Sequence, residues 1–139
     1  MVIEMFFIKN RALVITILFV ALILFSLKSH ASWLIIGETN QSIHYIDQSR
    51  IKKTSFGTDV WWLMNFKPHI ANQIGFASVQ GNSMIYCKKQ MLMDVEKINF
   101  TETFADGLGT QDAVIKTWVS YKSKPNSLQE SLFKSICNK

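Results

Sequence analysis

The side chains able to do chemistry in this 139-residue chain are few and scattered. His44 and His69 are the histidines beyond the first thirty residues, with Ser78 and Ser83 as serines that either could in principle activate. A serine nucleophile needs a base within hydrogen-bond reach and a sharp turn, such as Gly-x-Ser-x-Gly, to present it; no such turn surrounds these serines. Asp47 and Asp59 would serve acid–base work only if paired in space, and the competing role for an aspartate at a strand end is to cap a turn. Cys87 as a thiolate nucleophile needs an unpaired sulfur in an electropositive niche, and Cys137 competes for that sulfur. Gly107-Leu108-Gly109 has no helix start after it to receive a phosphate. Two cysteines and dispersed histidines do not make four convergent metal ligands. No catalytic residue, metal site or cofactor is expected, and the chain reads as a non-enzyme.

Binding chemistry is better represented. Arg50, Lys52 and Lys53 form one basic cluster, and Lys88 with Lys89 forms a second. Either suits an acidic glycoprotein segment or a sulfated polysaccharide, against the alternative of an ordinary solvated face. Trp61 and Trp62 are adjacent, so in a strand they point to opposite sides. One of them could form a contact patch or dimer surface, although core packing competes for both.

These groups must be exported. Residues 12–27 (ALVITILFVALILFSL) carry no charge and follow Lys9 and Arg11. Ser29-x-Ala31 then offers a cleavage triplet, so residues 1–31 read as a signal peptide with Ser32 as the first mature residue. The competing reading is an uncleaved anchor extended by residues 5–8, which would draw Lys9 and Arg11 into hydrocarbon. A membrane role is expected only in that case. The 108 residues that remain suffice for one small domain. They hold twelve Lys and Arg against nine Asp and Glu, an ordinary surplus that excludes a nucleic-acid argument. Both cysteines lie in this part, and an even count outside the cytoplasm favours a single disulfide. Two free or intermolecular thiols are the alternative.

The positioning elements follow from periodicity. Residues 33–37 and 42–47 read as two strands joined by the polar turn 38–41, a hairpin with His44 and Ile46 on one face and Ile43, Tyr45 and Asp47 on the other. Residues 48–54 read as a connection or a short irregular strand. Residues 59–67 (DVWWLMNFK) form the strongest strand, with Val60, Trp62, Met64 and Phe66 on one side and something covering part of the other. Pro68 ends its pairing, and residues 69–75 have loop composition. Residues 76–88 are extended, either split or bent at Gly81-Asn82. Residues 90–104 read as a strand with helix as the competitor, 106–109 as a loop, and 113–121 as the last strand. Ser127 and Glu130 make a capping box, Pro125 blocks an earlier start, and Leu128, Leu132 and Ile136 repeat at helical spacing. The expectation is α+β: about six mainly antiparallel strands with one C-terminal helix packed on them.

This layout resembles the surface-adhesin protein E domain of exported proteins in Gram-negative bacteria. Trp33, Tyr45-Ile46-Asp47, Ile51-Lys52, Val60-Trp61, Leu63, Phe66-Lys67 and Ser78 carry the resemblance, followed by Cys87-Lys88, Gly107-x-Gly109, Trp118, Pro125-x-Ser127, Leu132 and Cys137. It covers residues 32–139. It implies a six-stranded antiparallel sheet, a helix held by a Cys87–Cys137 bridge, and a non-enzymatic, adhesin-like role. It further implies protein or glycoprotein partners such as the host matrix components vitronectin and laminin, and homodimerisation. Two departures stand out. Ser32 occupies the place where family lipoproteins carry the acylated cysteine, so periplasmic, surface and secreted locations all remain open. Tyr86 also replaces the acidic residue expected before the first cysteine. The alternative function is a periplasmic structural or accessory envelope protein without a host ligand.

Overall fold

The computed structural model describes residues 14, 15 and 32–138. The expected signal segment and its Ala31/Ser32 cleavage point fall outside those residues, apart from Val14 and Ile15, which are helical, and Ser32. The chain divides into two compact units, Met1–His30 and Ala31–Lys139, and every strand among the described residues lies in the second.

Strands β1 (Trp33–Glu38), β2 (Ser42–Thr54), β3 (Gly57–Phe66), β4 (Ser78–Tyr86), β5 (Met91–Phe100) and β6 (Gly109–Gln111) pair antiparallel in chain order. A two-residue strand, β7 (Val119–Ser120), shares the outer edge of β5 with β6. Every long strand thus pairs with its sequence neighbour, the arrangement that short connections favour.

The alternation of β3 sorts the sheet into two faces. Val60 and Trp62, with Ile46, Val79, Ile85 and Leu92 from neighbouring strands, form the core against helix α2 (Leu128–Cys137). Leu128, Leu132 and Phe133 close that core from the helix side, each contributing about 1.5–3 kcal/mol by burial. Gly81 permits this packing, because a Cβ there would run into the Trp62 ring and the Glu96 carbonyl. The capping box forms with one shift. Ser127 Oγ accepts from the Glu130 N–H at 3.3 Å, while Glu130 Oε2 accepts from the Asn126 N–H at 2.7 Å rather than from Ser127. At the far end of α2, Cys137 is joined to Cys87, with Cα atoms 5.5 Å apart.

Leu63 and Tyr45 are buried on the opposite face. Their cover is the 3-10 turn Thr103–Ala105, whose Phe104 ring lies 5.5 Å from that of Tyr45. Phe104 and Ala105 both adopt φ near 58°, a conformation costly for side chains other than glycine. Buried polar groups hold them there: Asn65 Oδ1 accepts from Phe104 N–H at 2.9 Å, and Ser78 Oγ accepts from Ala105 N–H at 3.1 Å.

Several local expectations need correction. Of the two readings of residues 48–54 the irregular strand holds: they continue β2 through a bulge, paired from Ile51↔Val60 to Thr54↔Gly57. Their polar composition reflects a hairpin arm whose Lys52, Lys53 and Thr54 are exposed. Residues 69–75 are not a loop: Pro68–Ile74 form a two-turn helix, α1, with Pro68 in its first turn and Gly75 ending it at φ 85°. Proline at the start and a left-handed glycine at the end are helix boundaries even in a polar sequence. Residues 113–121 pair only at Val119 and Ser120, and β6 forms at residues 109–111 instead. Cys87 sits in the 3-10 turn Cys87–Lys89, just after the strand expected to hold it. Gly81-Asn82 neither turns nor splits β4. An extra residue on β5, Val95, accommodates the bend, since Asn82 faces Glu96 and Ser83 faces Asp94.

Candidate functional site

Apart from His69, which is exposed on α1, the side chains with catalytic potential are taken up in contacts within the fold. His44 is 1% exposed, with Nε2 2.9 Å from Ser42 Oγ and Nδ1 3.1 Å from Ser131 Oγ. The Ser131 hydroxyl donates to the Ser127 carbonyl at 3.2 Å, so the pattern closes with Nδ1–H donating to Ser131 and Nε2 accepting from Ser42. Burial pushes the His44 pKa below its ordinary value, because the desolvated ring disfavours charge. The relay ties the β1–β2 hairpin to α2. Ser78 and Ser83 lie elsewhere: Ser78 serves the 103–105 turn, and Ser83 Oγ accepts from Trp62 Nε1 and donates to Asp94 Oδ1, both at 2.7 Å.

Asp47 and Asp59 also take separate partners. Asp59 bonds the Asn82 amide. Asp47 belongs to the bulge in β2, where residues 47–50 oppose Trp61 alone. Its Oδ1 accepts from Ser49 N–H at 3.0 Å and Ser49 Oγ at 2.6 Å, and its Oδ2 accepts from Arg50 Nε at 2.6 Å. Burial raises the Asp47 pKa, but the Ser49 hydroxyl, Arg50 and the Ser49 N–H together outweigh it and leave the carboxyl below its usual range. The Arg50 guanidinium also lies 4.6 Å over the Trp61 ring and 5.7 Å over that of Trp33, a cation–π arrangement. Arg50 is therefore bound within the fold, and Trp61 is half-buried beneath it.

Lysines Lys52, Lys53, Lys88 and Lys89 are all exposed. The β2–β3 hairpin and the turn after β4 bring Lys53 and Lys88 to one groove of about 270 Å³, with Ser55, Tyr86 and Cys87 also in its walls. Ser55 and Tyr86 continue into a second cleft of about 370 Å³, where they meet Phe56, Lys89, Met91 and Trp118. No acidic residue lines either groove. Phe56, at the tip of the two-residue hairpin turn, is 75% exposed, and Trp118 is 36% exposed. The Tyr86 and Trp118 rings meet edge to face, centroids 6.2 Å apart, and the Lys89 ammonium lies 5.5 Å from the Tyr86 centroid. Sequence reasoning found the lysines but missed Phe56, Tyr86 and Trp118 as their neighbours. An aromatic residue in a tight, otherwise polar turn was the available signal for Phe56.

Among the described residues no group of three or more His, Cys, Asp and Glu side chains is placed to hold a metal ion, and no helix is long and apolar enough to cross a membrane.

An antiparallel meander with a disulfide-pinned helix, its polar interior paired and Lys53, Lys88 and Lys89 lining adjoining clefts with the rings of Phe56, Tyr86 and Trp118, defines a small β-sheet surface module. The chain belongs to the surface-adhesin protein E family, whose model matches residues 33–138. It is thereby an adhesin-like surface protein. Its fold is similar to two solved structures of Haemophilus influenzae protein E, each with a TM-score of 0.56 and 15% identity over 80% of this chain; the match spans 91% of the chain in crystal form II and 87% in the other. A selenomethionine form of the same protein matches with a TM-score of 0.52 and 16% identity, over 75% of this chain and 91% of that one. At such identity the likeness shows the fold. No curated protein sequence gives a significant match.

Proposed function

We propose that this chain is an exported, non-enzymatic binding module that recognises protein or glycoprotein partners through the rim formed by Lys53, Lys88 and Lys89, with Lys52 adding its charge from the other face of the same hairpin arm. The observation that carries the proposal is the meeting of Lys53 and Lys88 in one groove without an acidic lining residue. Long side chains of one sign on a rigid sheet end attract and orient an acidic segment without any bond being broken. In this reading residues 1–31 are the export signal, cleaved between Ala31 and Ser32. Host matrix glycoproteins such as vitronectin and laminin are the partners that the family resemblance suggests, and a homodimer could carry two such rims.

Surface-plasmon measurements on immobilised matrix glycoproteins test this. Affinity is expected to fall as salt shortens the screening length below about 8 Å, and to fall further in a Lys53→Glu/Lys88→Glu variant. Affinity indifferent to both would overturn the reading. Ser32, standing where an acylated cysteine would be, favours a second reading: a periplasmic accessory protein of the envelope. Protease treatment of intact cells separates the two, since periplasmic protein would be shielded.

A further inference from the structure

We infer that the cleft among Phe56, Tyr86, Trp118, Lys89 and Met91 is a subsite for one ring of an acidic polysaccharide, a sulfated or uronate-bearing glycan whose next charges run onto Lys88 and Lys53. The inference rests on the rim being the binding surface and adds the chemistry of what it binds.

Three aromatic side chains reach this cleft from distant parts of the chain: a hairpin tip, the end of β4 and the segment just before β7. They are not core residues. Phe56 is 75% exposed and Trp118 36% exposed, so water is kept off part of their surface only if something else covers it. The Tyr86 and Trp118 planes meet at 61°, edge to face, forming a corner instead of a closed stack. A pyranose ring has a flat C–H face that packs on the electron-rich face of an aromatic ring, while its substituents project from the edge. The cleft, at about 370 Å³, falls in the range of small-ligand sites. At its wall the Lys89 ammonium sits 5.5 Å from the Tyr86 ring, where a sulfate or carboxylate on a stacked sugar would meet it. Tyr86 and Ser55 also line the groove of Lys53 and Lys88, so the aromatic corner and the cationic groove share a wall.

Lysine ammoniums are point charges that accept an anion from many angles, unlike the planar fork of arginine. That suits a repeating polyanion with sulfates at varied orientations. An acidic peptide would satisfy the lysines equally well but supplies no flat ring for the corner. The one arginine of the predicted clusters is withdrawn onto Asp47 and two tryptophans.

Isothermal titration of the purified protein with a heparin hexasaccharide, a hyaluronan hexasaccharide and a glutamate hexapeptide tests the inference. Heparin tightest points to sulfate as the anion, and hyaluronan tightest to the uronate carboxylate. Phe56→Ser and Trp118→Ala should each weaken the preferred sugar roughly threefold to tenfold, the scale of one aromatic contact, and leave peptide affinity unchanged. Phe56→Ser is the safer variant, because that ring is exposed and its loss disturbs little packing. Lys53→Glu/Lys88→Glu should weaken every anionic probe. Peptide binding as tight as either sugar, with both aromatic variants silent, overturns the glycan subsite while leaving the charged rim standing. Binding untouched by the lysine reversal as well would bring down both.

Discussion

Removing Arg50 should harm this protein more than neutralising Asp47, although Arg50 is the more exposed partner. The Asp47 side chain is 2% exposed and that of Arg50 38%. In Asp47→Asn the amide oxygen still accepts from Ser49, at about half the strength of a carboxylate, but its NH2 opposes the Arg50 donor. One charge-assisted bond is lost and two are weakened, which sums to about 2–4 kcal/mol. Arg50 turns to water, so no buried charge is stranded. In Arg50→Met the carboxylate stays in the bulge with Ser49 alone, and breaking a buried pair in this way costs about 3–5 kcal/mol. Urea unfolding at pH 7, followed by tryptophan fluorescence, reads both as falls in midpoint at unchanged slope. A double-mutant cycle should give a coupling of about 1 kcal/mol or more. The pH dependence has a definite sign. Folded Asp47 lies below its ordinary value of 3.8, so the pair's stability is complete above that pH and fades as pH falls through the lower folded value. Without Arg50 the folded value moves back towards the ordinary one, so less stability is lost on acidification. Two single variants within about 0.5 kcal/mol of wild type, with additive effects, would show an ordinary surface ion pair and refute the idea that Asp47 and Arg50 lock the bulge.

Two further predictions concern the hold on α2. Cys87→Ser combined with Cys137→Ser opens a loop spanning 50 residues, worth about 4 kcal/mol on the chain-entropy model; an unchanged urea midpoint would contradict it. His44, whose folded pKa is lowered by burial, should make stability decline as pH falls below the ordinary 6.5 towards the folded value, because only the unfolded chain takes up the proton there. His44→Gln should flatten the midpoint between pH 5 and 7, and a profile identical to wild type would exclude this role.

The features legible without a structure were local ones. Alternation over residues 59–66 and the 3.6-residue repeat of Leu128, Leu132 and Ile136 decided strand and helix, because burying one face imposes a period on the chain. Ser127 and Glu130 announced the helix start, since a cap reaches only three or four residues. The polar composition of α1 reads as a loop, although Pro68 and Gly75 mark its two ends. Folding in three dimensions decided the partners. Arg50 was indistinguishable in type from Lys52 and Lys53 until the bulge placed it between Asp47 and the rings of Trp33 and Trp61. His44 found Ser131, 87 residues away, only through the docking of α2 on the sheet. Lys53 and Lys88 share a groove because the β3–β4 register sets Thr58 against Ile85. Periodicity leaves a mark in sequence because neighbouring residues share one environment. Pairing between distant residues leaves none, since register and packing choose the partner only once the whole sheet is assembled.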